Sequence, residues 1–168
     1  MTTSDTARML TRYNAWANKL IFESVARLPE GEAIKTRPTL FRNMVHTLNH
    51  NYVIDLIWQA HLEGRDHGFT ARNTADHPPL AELWSVQQGV DQWYVDWSDG
   101  LSDQALQQPV HFTFVGGGAG VMTREQILLH IINHTSYHRG FVADLFYQVP
   151  AKPPTTDLPV FIRDAYKT

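Results

Sequence analysis

Four long stretches of the chain repeat apolar residues every three or four positions. That spacing constrains the fold more than any other feature, because it lays one apolar stripe along each of four α-helices. The first stretch runs from Asp5 to Leu28 through Met9, Tyr13, Trp16, Ala17, Ile21 and Val25, and Pro29-Glu30-Gly31 ends it. The second runs from about Leu40 to Leu62 and closes at Glu63-Gly64, with the glycine as C-cap. Pro78-Pro79 precedes a third, from Leu80 to Gly100. The fourth opens at Thr123, where Thr123-Arg124-Glu125-Gln126 reads as a capping box, and continues to Pro150. Arg65 to His77 is polar and patternless. Val110 to Val115 alternates, and Gly116-Gly117-Gly118-Ala119-Gly120 follows, which predicts a short β-hairpin or a glycine-rich loop between the third and fourth helices. Those glycines match neither phosphate-binding spacing, and no lysine follows them. A last short helix is expected from about Thr156 to Ala165, with Asp157 in its first turn. The 168 residues fit a single all-α domain with one core.

Composition removes several functions. Fourteen Lys and Arg against seventeen Asp and Glu give a formal charge of -3, with the two signs mixed along the chain. No basic patch is available to neutralise a phosphate backbone or an anionic membrane, so neither nucleic acid nor membrane is expected as a partner. The N-terminus lacks the basic-then-apolar order of a signal peptide, and no apolar run approaches the roughly 20 residues that span a bilayer. The expected location is the cytoplasm. With no cysteine at all, disulfides, CxxC redox chemistry, cysteine nucleophiles and thiolate metal sites are excluded. Any metal must be held by nitrogen and oxygen.

Nitrogen is plentiful. Nine histidines in a chain of this length would produce about half of one i,i+4 pair by chance. Three such pairs occur, His46 with His50, His130 with His134, and His134 with His138, and all lie on two helices. Four residues advance a helix by about 400° and 6 Å, so both rings of a pair share one stripe and can reach a common ion. The spacing is that of the HExxH proteases, but Thr135 follows His134 and the glutamate base is missing, which rejects that chemistry. A single such histidine is readily satisfied in a core by hydrogen bonds. Five imidazoles on two inner stripes would repel one another on protonation, whereas one divalent cation compensates them all. Spacing leaves open which of the five bind. His130, His134 and His138 drift about 80° around the axis, so two ligands from the fourth helix and one from the second is the easier set.

Three motifs resemble the signatures of the DinB family: Tyr13-Asn14-Ala15-Trp16-Ala17-Asn18, then Thr47-Leu48-Asn49-His50 followed by Asp55 and Trp58, then Asn133-His134-Thr135-Ser136-Tyr137-His138-Arg139-Gly140. Pro154-Thr155-Thr156-Asp157-Leu158 is similar to the family's tail. The resemblance implies a four-helix bundle in up-down-down-up order, usually a homodimer, with a divalent metal held by His50, His134 and His138. Tyr137 stands where the family often has another histidine, which removes no ligand. His46 and His130 are not carried over as ligands and are read as core residues or as groups behind the ligands. Asp55 is read as a structural carboxylate or as one supporting the ligands. Tyr13, Trp16 and Tyr137 are pocket candidates, with plain packing of the first helix the competing role for Tyr13 and Trp16.

Three neutral imidazoles leave a coordination position open on Zn²⁺ or Ni²⁺, and equally on Mn²⁺ or Fe²⁺, and the site keeps the ion's full positive charge. Such an ion can act in hydrolysis, polarise a carbonyl, or lower the pKa of a thiol. The family resemblance implies transfer of a low-molecular-weight thiol, and the expected function is a metal-dependent transferase or hydrolase acting on a small molecule. No acid or base beside the motif identifies itself as catalytic. The alternative is a non-catalytic metal-holding protein, stress- or damage-responsive, and it is disfavoured because a structural zinc is normally closed by four protein ligands.

Overall fold

The structure is a computed structural model and describes residues 2–166. It is mostly helical. The elements run α1 (Thr3–Ala26), α2 (Met44–Glu63), α3 (Leu80–Asp99), α4 (Asp103–Leu106), β1 (Pro109–Thr113), β2 (Ala119–Thr123), α5 (Arg124–Phe146) and α6 (Leu158–Asp164). Each of the four long helices packs on two others: α1 lies against α3 and α5, and α2 against α5 and α3. Among the described residues no helix is long and apolar enough to cross a membrane.

Local chemistry sets the boundaries. Thr123 caps α5 by accepting from the backbone N–H of Gln126, whose side chain accepts from the backbone N–H of Thr123, the reciprocal box expected there. Gly64 ends α2 in the left-handed conformation at φ 69°. The second helix begins four residues later than its periodicity predicts. Asn43 takes the N-cap, its side-chain oxygen accepting from His46 N–H at 2.7 Å, and Arg42 just before it has a φ of 69° that no helix continues through. Phe41 therefore stands in a loop. At the other end of the chain, α5 stops at Phe146, and Asp157 precedes α6 as its N-cap rather than lying in its first turn. The periodicity gives no sign of α4, four residues started by Ser102, whose hydroxyl accepts from Ala105 N–H.

Two apolar clusters fill the centre. Ile21, Phe22 and Val25 of α1 meet Met44, Val45 and Leu48 of α2, Leu83 of α3 and Phe146 of α5. Further along, Val53, Ile57 and Trp58 of α2 meet Val90 and Tyr94 of α3, Phe112 of β1 and Ile127 of α5. The hairpin is antiparallel, with Phe112 opposite Gly120. A Cβ at residue 120 would lie 2.5 Å from the Phe112 ring, so only glycine lets that ring lie across the strand and enter the core.

Thirteen residues of α2 are buried, among them Thr47, Asn49, His50, Asn51 and Asp55. Polar groups enclosed to this degree are tolerated only when they find partners. Thr47 donates to the Asn43 carbonyl, Asn49 to the loop before α3 and Asn51 to the Thr135 carbonyl, while Asp55 joins a buried network at the helix crossings and His50 the three-histidine cluster.

Candidate metal centre

His50 lies in the second turn of α2, and His134 and His138 occupy successive turns of α5, the helix on which α2 packs. One ligand nitrogen from each of the three lies within 4.8 Å of the other two. Nε2 of His50 is 3.1 Å from Nε2 of His134. The ring centroids stand 5.0 Å apart for His50 and His134, 4.6 Å for His50 and His138, and 4.5 Å for His134 and His138.

The polar loop between α2 and α3 closes one side. Nδ1 of His50 lies 2.6 Å from the carbonyl oxygen of Arg72. A carbonyl can only accept, so Nδ1 carries the proton and, in the neutral ring, Nε2 keeps its lone pair for the cluster. The loop is pinned in turn. Asn49 donates to the Asn73 and Thr74 side chains at 2.7 Å each, His46 Nε2 donates to the Thr74 carbonyl at 2.9 Å, and Asn73 donates to the His46 carbonyl at 3.1 Å. On another side the Phe41 ring stacks on His50, centroids 4.4 Å apart, and lies 5.6 Å from His138.

Burial and mutual crowding keep all three rings neutral. Burial first, then the imidazoles of His138 and His50, push His134 down to about 3. Burial, then the His50 imidazole, takes His138 to about 4, and burial lowers His50 despite the Arg72 carbonyl. The Nδ1 atoms of His134 and His138 are buried without hydrogen-bond partners. Three uncharged nitrogens converging with no carboxylate among them make a donor set suited to a borderline divalent ion. With Zn–N bonds of about 2.0–2.1 Å, two ligands of a tetrahedral ion stand about 3.3 Å apart, close to the observed approach of His50 and His134. The residues fit such an ion.

The other predicted residues fall in different places. His130 has its ring 5.6 Å from His134 and 5.0 Å from Trp58, on the wall of a neighbouring cavity. His46 faces the loop at Thr74 and His77. Tyr137 is exposed, its ring edge-on to His138 at 5.1 Å. Tyr13 and Trp16 pack on Phe161 of α6, and the Tyr13 hydroxyl donates to the Thr156 carbonyl at 2.9 Å, so both anchor the C-terminal segment.

Asp55 belongs to the buried network. Gln87 Nε2 donates to Asp55 and to Asp91, both at 3.0 Å, and Asn18 donates to Asp91 at 2.9 Å. Arg139, next in sequence to His138, donates to Asn14 at 2.6 Å, Asn18 at 2.9 Å and Ser136 at 2.9 Å. The network thus ties α1, α2, α3 and α5 together and sets the rotation of α5 that turns His138 inward.

Several of these residues escape a reading of the sequence. Asn14 with Asn18 and Gln87 with Asp91 are polar pairs spaced four apart on otherwise apolar faces, which is the signal that could have found the network. Phe41 and the Arg72 carbonyl carry no comparable signal.

A cavity of about 630 Å³ opens beside the cluster, with His134 on its wall. Its other walls come from α2 (Ile54, Ile57, Trp58), the pinned loop (Ala71, Arg72) and the hairpin (Phe112).

Protein DinB of Bacillus subtilis (strain 168) is 26% identical over 170 residues, a match covering 95% of this chain and 95% of that protein. The family model described as DinB family matches residues 1–168, the full length, and the chain therefore belongs to the DinB family.

Proposed function

We propose that His50, His134 and His138 hold one divalent transition-metal ion, Zn²⁺ or Ni²⁺ in first place and Mn²⁺ or Fe²⁺ as other occupants. The chain is then a metal-dependent enzyme of the thiol S-transferase or hydrolase type, acting on a small molecule such as a low-molecular-weight thiol. The observation that carries this reading is the convergence of three neutral ligand nitrogens within 4.8 Å, with no fourth histidine or acidic side chain in the group. When bound, the ion supplies a Lewis acid that polarises a carbonyl or favours the thiolate of a coordinated thiol.

The chain's own residues do the rest. The Arg72 carbonyl orients His50, the α5 turn between His134 and His138 sets the second edge of the site, and Phe41 covers the His50 ring and keeps water from that face. A non-catalytic role would call for a fourth protein ligand to close the site, and none is present among the described residues. We read the four long helices as a single-domain bundle in up-down-down-up order, forming a homodimer in the cytoplasm without nucleic acid or membrane partners. Family membership and the acidic, mixed-sign charge support that reading.

Elemental analysis of untagged protein after incubation with Zn²⁺, Ni²⁺ and Mn²⁺ tests the metal assignment. The expected result is about one ion per chain. His138→Ala should abolish uptake, and a protein that takes no ion from any of the three solutions would rule the reading out.

A further inference from the structure

We infer that the cavity beside His134 seats a planar aromatic anion, its ring system held among Trp58, Phe112 and the hairpin, and its carboxylate or thiolate directed at the three-histidine cluster. This rests on the metal reading above and adds to it the chemical class of the ligand.

Size and position come first. About 630 Å³ is a small-molecule volume, in the range of about 300–1,000 Å³ that such sites occupy. His134 belongs both to the cluster and to the cavity wall, so a molecule coordinated at the cluster has its remainder in this space.

The walls select the body of the ligand. Trp58 contacts three other rings edge to face, Phe112 at 4.8 Å, His130 at 5.0 Å and His61 at 5.4 Å between centroids, and all four rings line the cavity. Such a wall offers edges and faces against which a flat ring packs. Ile54 and Ile57 continue it with surface that accepts no hydrogen bond. Along these isoleucines and ring faces a hydroxyl finds no partner, so a flat aromatic body is the better fit to this part of the wall.

Charge selects the head. The cavity lining contains no aspartate or glutamate, and its one cation is Arg72. Among the described residues no carboxylate pairs with the Arg72 guanidinium. Arg72 lines the cavity from the loop residue whose carbonyl holds His50, so the cavity's one cation and the wall formed by His134 border the same space. An anionic head satisfies both Arg72 and the bound ion, and a cationic one satisfies neither.

The test uses the full chain loaded with Zn²⁺, its metal content measured in the same sample. Binding of 2-naphthoate and of 2-naphthalenethiol is compared with acetate and ethanethiol, read by calorimetry and by quenching of tryptophan fluorescence. The aromatic members should bind at least about tenfold tighter than the aliphatic ones with the same head, and the carboxylate and thiol arms show which head is preferred. Ala71→Trp and Thr70→Trp place an indole into the cavity from exposed loop positions, and each should weaken 2-naphthoate about tenfold or more while the metal content stays at one ion per chain. Equal affinity for 2-naphthoate and acetate, or full binding retained by both loop variants, would overturn the assignment and leave the metal reading standing. A chain that takes up no Zn²⁺ would overturn both.

Discussion

Nε2 of His50 and Nε2 of His134 lie 3.1 Å apart, although 84 positions separate them in sequence. An ion between them bridges α2 and α5 directly, and it binds the native arrangement alone because the unfolded chain does not hold the two rings together. Loading with Zn²⁺ should therefore raise the thermal midpoint. At a free concentration about 1,000 times Kd the gain is about 4 kcal/mol, which for a chain of this size amounts to about 8–16 °C. Scanning calorimetry with Zn²⁺ and with excess chelator reads the difference directly. Coincident transitions would mean that the cluster holds no ion.

Phe41 covers the His50 ring from a loop fastened by the buried Arg37, which donates to the Glu32 carboxylate and to the carbonyls of Glu32 and Lys35. Phe41→Leu keeps an apolar side chain but removes the stacked face. Release of Zn²⁺ to a chelator should quicken by on the order of tenfold, the effect typical of losing a group that supports a ligand, with little change in the folded fraction. Stopped-flow chelation measures the rate, and an unchanged rate would assign Phe41 to packing alone.

Most of the helical layout is legible in the sequence because each long helix has a stripe to bury. Periodicity places α1, α3 and α5 within a few residues of their observed ends, and the alternation of Val110 to Val115 followed by glycines gives the hairpin. The start of α2 goes astray because Asn43 and the strained Arg42 act locally and interrupt a pattern that would otherwise continue back to Leu40. At the cluster, spacing puts His134 and His138 on one stripe but leaves the rotation of α5 against α2 undetermined. That rotation is a tertiary property, set partly by Arg139 reaching Asn14 and Asn18 on another helix. The carbonyl that orients His50 is invisible for a simpler reason, since every residue has one and only the path of the loop selects that of Arg72.

Gly120 faces the Phe112 ring so closely that a methyl group would lie 2.5 Å from one ring carbon and 2.6 Å from another. Phe112 is enclosed against Trp58 and cannot swing aside freely. Gly120→Ala should destabilise the protein by about 1–3 kcal/mol, the usual cost of overpacking. Because the ring it displaces touches Trp58, the near-ultraviolet circular dichroism of tryptophan should change with it. Urea titration and that spectrum check the two effects on one sample.

The charge of Arg139 acts on two buried carboxylates, Asp55 and Asp91, and only 2% of its own surface is exposed. Arg139→Met preserves much of the volume while leaving Asp91 and Asp55 without their positive neighbour and Asn14 and Asn18 without a donor. Removing one partner from a buried charged network costs about 3–5 kcal/mol. Arg139→Lys should recover only part of this, since a lysine ammonium lacks the planar fork that reaches Asn14, Asn18 and Ser136 together. Denaturant midpoints of the two variants give the ranking, and equal stability of Arg139→Met and wild type would show that the network contributes nothing.

The Asp55 carboxyl is wholly buried, faces Asp91 across the shared Gln87 amide, and has the Tyr94 hydroxyl donating to its own backbone carbonyl at 2.7 Å. Burial, and then the charge of Asp91, push Asp55 up to about 8, while Gln87 and Arg139 pull the other way; burial takes Asp91 up to about 6. In the unfolded chain both titrate near the ordinary aspartate value, so the folded state holds the proton more tightly. Stability from this source is complete below the unfolded pKa and is lost as pH rises through the folded one. The histidines of the cluster, lowered in the fold, act in the opposite sense and only at pH below their ordinary value of about 6.5. Between pH 7 and 9 the loss therefore belongs to Asp55. Metal-free protein should become less stable over that interval by on the order of 1–2 kcal/mol, at about 1.4 kcal/mol for each unit of pKa separation. Asp55→Asn keeps an oxygen to accept from Gln87 and carries no proton to lose, so its urea midpoint should stay nearly level from pH 7 to 9. A variant that falls as steeply as wild type would place the titrating group elsewhere.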